Sequence, residues 1–230
     1  MRFDVITLFP EIIEAVVQTS IIGRALKSGL VEIHAHQLRD YAFNKHKRVD
    51  DSPYGGGFGM VMQCEPIYQC YKAIKDEIGE KPFVIYMSPQ GKVLNQSVAR
   101  DILKIGEGRP ICILCGHYEG VDERILESIV DMEISVGDYV LTGGELPACV
   151  LIDCVTRMSD GVLPDPECFE DESHFSGLLE YPQYTKPEIW EEKSVPPVLL
   201  SGHHKNITEW RHEKAVEVTR KKRPDLLENL

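Results

Sequence analysis

Short strand-like apolar segments are separated repeatedly by segments with helical periodicity, and this alternation restricts the fold more than any other feature of the chain. Residues 2–9 alternate with a period of two, and Pro10 behind them suits a first helical turn, where its missing N–H costs nothing. Residues 20–28 read as a short helix stopped by Gly29, and residues 30–36 as a second strand. Residues 37–63 are glycine-rich, charged and without clear periodicity. Residues 65–78 then place Ile67, Cys70, Tyr71, Ile74 and Ile78 on one helical face. Strands follow at 83–87, 111–115 and 132–136, separated by a helix capped by Asn95 that reaches about residue 105 and another over 122–130. A mostly apolar, hence buried, helix covers 145–158. Strands alternating with helices predict an α/β domain with a mainly parallel sheet.

Ligands of such sheets bind beyond the carboxyl ends of the strands. Three glycine-bearing loops leave those ends: Ser88-Pro89-Gln90-Gly91, the segment from Gly116 to Gly120, and the segment from Gly137 to Gly144. Together they predict a composite site. Its chemistry is narrowed by what is missing. There is no G-x-x-x-x-G-K-[ST] and no G-x-S-x-G, and the glycines at 55–59 lack the strand, spacing and acidic partner of a dinucleotide fingerprint. Cys112 and Cys115 form a C-x-x-C, but residues three apart on a strand point to opposite faces and cannot grip one ion. His203 and His204 have no second ligand pair at zinc spacing, and no metal site is assigned. The loops carry isolated acids, Glu119, Asp138 and Glu145, which suit an uncharged or cationic ligand. S-adenosyl-L-methionine fits, with an adenosine for backbone groups to read and a sulfonium that gains from carboxylates.

The formal net charge of −12 opposes binding a polyanion, but its distribution is uneven. Residues 201–223 carry +4 and residues 39–48 carry +3, whereas residues 159–180 hold seven acids and no Lys or Arg. Local potential decides where a polyanion docks. Beyond Gly161 the composition turns acidic and proline-bearing, which predicts a mobile acidic linker over 161–176 between a ligand-binding domain over 1–160 and a small helical domain over 177–230. The longest helix of that domain is expected over 206–223, ahead of Pro224. The odd number of cysteines, seven, reads as reduced thiols. No apolar run approaches the ~18 residues of a membrane span, and the N-terminus runs straight into a strand without signal-peptide zones. A cytoplasmic protein without membrane contact is expected.

Five segments in order carry a resemblance that covers essentially the whole chain. They are residues 49–57 (VDDSPYGGG), 86–91 (YMSPQG), 115–124 (CGHYEGVDER), 135–147 (SVGDYVLTGGELP) and 196–204 (PPVLLSGHH). Their joint occurrence resembles the bacterial tRNA (guanine-N1)-methyltransferases of the SPOUT class. The resemblance implies an α/β domain whose parallel sheet carries a deep trefoil knot, followed by a small C-terminal helical domain. It implies S-adenosyl-L-methionine held by Tyr86, Met87, Ser88 and Pro89, by Gly116 and Tyr118, and by Val136, Gly137, Asp138, Tyr139, Val140, Leu141, Gly143 and Gly144. It further implies a homodimer with a composite active site, acting on guanosine-37 of tRNA. Dependence on Mg2+ is left open, with no site assigned.

Guanine N1 carries a proton and is a poor nucleophile, so its methylation needs a carboxylate base and a positive donor for charge pushed onto the neighbouring carbonyl. The family carries an Asp-Ser pair five residues ahead of a Gly-Leu-Leu; here Glu172-Ser173 precede Gly177-Leu178-Leu179. Glu172 is therefore the candidate base, with the adjacent Asp171 as competitor and Ser173 beside the substrate. Arg157 is the candidate donor and Glu119 the residue that shapes the guanine pocket, with Asp50 and Tyr54 on the guanine or partner-subunit side. Lys221, Lys222 and Arg223 are expected to contact phosphates. Two other readings stay open: a SPOUT-fold enzyme acting on another RNA base, and a non-catalytic RNA-binding protein on that fold.

Overall fold

The structure, a computed structural model, describes residues 1–165, 169 and 172–229. Asp171 and part of the expected linker lie outside the described residues. The chain divides into two compact units, Met1–Pro164 and Asp165–Leu230.

The first unit is built on a five-stranded sheet of β1 (Arg2–Thr7), β2 (Glu32–Gln37), β5 (Phe83–Val93), β6 (Ile111–Cys115) and β7 (Met132–Ser135), in the order β2-β1-β6-β5-β7. Every neighbouring pair is parallel. Helices connect them: α1 (Pro10–Val17), α2 (Ser20–Lys27), α3 (Cys64–Ile78), α4 (Gln96–Gly108), α5 (Glu123–Ile129) and α6 (Glu145–Thr156). Pro10 opens α1. The Asn95 side chain accepts a hydrogen bond from the Val98 N–H at 3.0 Å and caps α4. Gly79 closes α3 in the left-handed conformation.

Alternation along the strands explains the layering. Ile6, Val84, Cys112 and Leu114 pack with Ile67, Cys70 and Ile74 of α3 and Ile125, Leu126 and Ile129 of α5. The residues between them, such as Phe3, Val5, Ile85 and Ile113, are equally buried and belong to the opposite face, where α6 contacts both α1 and α4. Both faces are covered, so the inner strands read as continuous apolar runs. Cys112 and Cys115 lie on opposite faces of β6 and are free thiols, Cys112 among the α3 side chains and Cys115 beside Gly144.

One strand is longer than its pattern. β5 was expected to end at Met87 but runs to Val93, because Met87 and Lys92 both pair with Ile134 and the residues between bulge out. A Cβ on Gly91 would meet the Glu133 carbonyl carbon and the Ile134 nitrogen at 2.5 Å, so only glycine lets the bulged strand return to β7. The bulge throws Ser88, Pro89 and Gln90 out at the carboxyl end of the sheet. The patternless stretch after β2 holds a 3₁₀ turn (Leu38–Tyr41) and two short antiparallel strands, β3 (Asp50–Asp51) and β4 (Val61–Met62).

The second unit contains a two-stranded hairpin, β8 (Ile189–Trp190) with β9 (Lys193–Ser194), then α7 (Pro197–Leu200), α8 (His204–Lys222) and a final 3₁₀ turn (Pro224–Asn229). The segment before the hairpin is tied to α8. Leu179 N–H donates to the Thr219 hydroxyl at 2.9 Å, and the Arg211 guanidinium lies 4.8 Å from the Tyr181 ring centre. Among the described residues, no helix is long and apolar enough to cross a membrane.

Candidate active site

A cavity of about 360 Å³ opens at the carboxyl ends of β5, β6 and β7, where the three glycine-bearing loops meet. The end of β5 and its bulge supply Tyr86, Met87, Ser88, Pro89 and Gln90. The loop after β6 supplies Gly116 through Val121, including Tyr118 and Glu119. The end of β7 and the loop before α6 supply Glu133 to Val136 and Tyr139 to Gly144. Three separate segments of the chain are thus assembled because parallel strands deliver their carboxyl ends to one edge.

The loops brace one another. Gly144 N–H donates to the Gly116 carbonyl at 3.0 Å, and a Cβ on Gly144 would meet the Cys115 Cα at 2.7 Å, so a larger residue would force the two loops apart. β4 docks beside the loop after β6: Met62 N–H donates to the Gly120 carbonyl, Asp122 N–H to the Met62 carbonyl and Glu119 N–H to the Met60 carbonyl. The Glu119 side chain lies over Gly59, which ties the patternless stretch to the cavity wall. Burial, together with the nearby charges of Glu133 and Glu123, pushes the Tyr86 hydroxyl up to about 12, so it remains a neutral donor. Burial and then the charge of Asp50, within hydrogen-bond reach of its hydroxyl, also raise Tyr118.

Gly137 and Asp138 do not line the cavity. They form a tight turn in which the Ser135 hydroxyl donates to the Gly137 carbonyl and Tyr139 N–H returns to that carbonyl at 2.9 Å. Gly137 has φ +146°, and a side chain there would strike the Tyr139 ring, so its contribution is to seat that ring; Asp138 is exposed at the tip. Gln90, His117, Glu123, Glu133 and Thr142 line the cavity and were not singled out from the sequence. Gln90, His117 and Thr142 stand inside the quoted motifs, whereas Glu133 is recognisable only from its place on β7.

Arg157 is the C-terminal cap residue of α6 and is half-buried. Tyr54 is fully exposed, in a loop where Gly55, Gly56 and Gly57 all have positive φ. In the second unit, residues 172–178 form a closed turn: Phe175 N–H donates to the Glu172 carbonyl at 3.3 Å and His174 N–H to the Leu178 carbonyl at 2.8 Å. The Ser173 hydroxyl accepts from Glu180 N–H at 3.0 Å. Lys221 and Lys222 are exposed at the end of α8, while Arg223 is paired with Asp225 at 2.7 Å. Among the described residues, no group of three or more His, Cys, Asp or Glu could hold a metal ion.

A profile of the family described as tRNA (Guanine-1)-methyltransferase TrmD matches residues 1–229. The chain belongs to the tRNA (guanine-1)-methyltransferase family. A tRNA (guanine-N(1)-)-methyltransferase of Ruminiclostridium cellulolyticum is 59% identical over 230 residues, covering 100% of this chain and 97% of the relative. Enzymes with the same name from Lachnospira eligens and Clostridioides difficile are 56% and 53% identical, covering 99% and 98% of this chain and 95% and 97% of their own lengths. As a member of the tRNA (guanine-1)-methyltransferase family, the chain places twelve of the fourteen residues expected to hold the methyl donor around one cavity: all but Gly137 and Asp138.

Proposed function

We propose that the chain transfers a methyl group from S-adenosyl-L-methionine to N1 of guanosine-37 in tRNA, as a homodimer. The observation that carries this reading is the electrostatic character of the cavity. Among the described residues that line it there are three glutamates, Glu119, Glu123 and Glu133, and no lysine or arginine. A cofactor with phosphates would find no countercharge there, whereas a sulfonium is favoured by carboxylates. Gly116, Gly143 and Gly144 line the cavity, where no side chain of theirs stands between the backbone and an adenosine. The residues present therefore fit this donor. When bound, S-adenosyl-L-methionine supplies a methyl group activated on sulfur.

The protein's own residues do the remaining work. Tyr86, Ser88, Pro89, Tyr118 and the 136–144 loop hold the donor, with Gly137 and Asp138 acting through the turn that seats Tyr139. Glu119 orients the guanine, and Asp50 and Tyr54 hold its outer side or reach the partner subunit. Glu172, or Asp171 beside it, accepts the N1 proton, and Ser173 fixes that turn against the substrate. Arg157 donates to the guanine carbonyl oxygen as negative charge builds there. Lys221, Lys222 and Arg223 meet tRNA phosphates. In domain terms, residues 1–160 form a knotted donor-binding domain, 161–176 the acidic linker and 177–230 the tRNA-binding domain. Family membership supports the trefoil knot and the dimer with its composite site.

The test is transfer of a radiolabelled methyl group to unmodified tRNA with guanosine or adenosine at position 37. Transfer only to the guanosine form is expected. Donor binding without transfer would make the chain an RNA-binding protein, and transfer to another nucleotide would move the target base.

A further inference from the structure

Glu145 is an acid that the chemistry above leaves without a role, yet it is only 2% exposed. A carboxylate this deep must be hydrogen-bonded to be tolerated. Thr7, 138 residues away at the end of β1, donates its hydroxyl to Glu145 Oε1 at 2.6 Å. That hydroxyl is free to donate because its oxygen accepts the Phe9 N–H at 2.9 Å. Glu145 Oε2 lies 2.7 Å from His117 Nε2. Two acceptors cannot share that distance, so Nε2 carries the proton and the histidine tautomer is set by the glutamate. The His117 ring is held on its other side by Phe9, with ring centres 5.1 Å apart.

The same network leaves no room for slack in the loops. A Cβ on Gly143 would meet Glu145 Oε2 at 2.6 Å and the His117 ring, so the loop before α6 is pressed against the pair. His117 lines the cavity, and both loops that the pair joins are cavity walls, but Thr7 and Glu145 are not among the lining residues. We propose that Thr7, Glu145 and His117 are positioning residues, clamping the loop after β6 and the loop before α6 to the end of β1 so that the donor cavity is preformed. This rests on the cavity being the donor site. Preformed loops spare the binding step the cost of ordering them.

Thr7→Val keeps the shape of the side chain and removes the hydroxyl, and with it both the bond to Glu145 and the bond from Phe9 N–H; only the first of these reaches the two loops. In protein without donor, amide exchange across 116–120 and 142–144 should rise about tenfold, the loss expected from one buried hydrogen bond, while the sheet strands keep their protection. By calorimetry, affinity for S-adenosyl-L-methionine should fall about tenfold and affinity for tRNA should stay unchanged. Thr7→Ser should restore both loop protection and donor affinity. Unchanged loop exchange, a uniform rise across the strands, or a serine variant as impaired as the valine overturns the proposal. Should Thr7→Val fail to fold, Glu145→Gln presents an N–H to one of its two donors and should loosen the same loops; unchanged exchange there also overturns it. If the unaltered protein binds no S-adenosyl-L-methionine, the proposed activity falls, and the loop exchange still decides the clamp.

Discussion

Asp4 and His36 meet across the edge of the sheet, with His36 Nε2 2.8 Å from Oδ1 of the fully buried Asp4. Arg2 completes the arrangement, donating to both Asp4 oxygens at 2.9 and 3.0 Å and to Glu77 at 2.6 Å. Burial alone would raise the Asp4 carboxyl, but the hydrogen bonds from His36 and Arg2 outweigh it and hold the group below its ordinary range. Its folded value is thus depressed. The stability it contributes is complete above the unfolded value of about 3.9 and is lost as pH falls through the lower, folded value. Urea midpoints measured downward from pH 7 should fall in the acid range for the native chain. Asp4→Asn should flatten that acid limb and cost about 2 kcal/mol at pH 7, the usual worth of hydrogen bonds to a charged group, since Arg2 keeps Glu77.

Gly91 decides whether the bulge of β5 can form. Gly91→Ala places a methyl group against the Glu133 and Ile134 backbone, which has no freedom to yield. Thermal melting should show a loss of about 2 kcal/mol, typical of overpacking. Donor affinity should fall with it, since Ser88, Pro89 and Gln90 hang from that bulge. A full-affinity, fully stable variant would show that the bulge is not needed.

Glu172→Gln keeps shape and removes the carboxylate proposed as the base. Turnover should fall by roughly 10²–10⁴-fold with little change in donor affinity. Asp171→Asn should cost much less. If single-turnover rates come out in the opposite order, Asp171 is the base.

Dimerisation can be read from complementation. Sedimentation at micromolar protein should give twice the chain mass. Mixed Arg157→Ala and Glu172→Gln chains should regain activity if each site takes one residue from each subunit. A fully active monomer rules this out.

The basic end of α8 should govern docking of tRNA. Replacing Lys221 and Lys222 by Gln should flatten the log–log salt dependence of tRNA binding by roughly one unit per lost contact. Arg223→Gln should change the slope less, because Asp225 already balances it in the free protein. Equal slopes for all three variants would make Asp225 irrelevant to binding.

What was legible from the residues alone were the features with a period or a motif. The alternation at residues 2–9, the short apolar runs at 83–87 and 111–115 and the stripe on α3 place those elements almost where the structure has them, since burial on one face or on both leaves a trace in the sequence. The loops at 88–91, 116–120 and 137–144 could be named as one site because parallel strands always present their carboxyl ends together. Tertiary structure alone decided the rest. The continuation of β5 to Val93 depends on room beside Ile134, and the docking of β4 depends on backbone groups of residues 60–62 meeting those of 119–122. Gly137, inside the motif, sits against the Tyr139 ring and Asp138 is exposed at the tip of that turn, and neither lines the cavity. Thr7 and Glu145 gave no sign of their bond: a hydrogen bond depends on two atoms arriving at one point in space, and pairs so far apart along the chain leave no pattern in it.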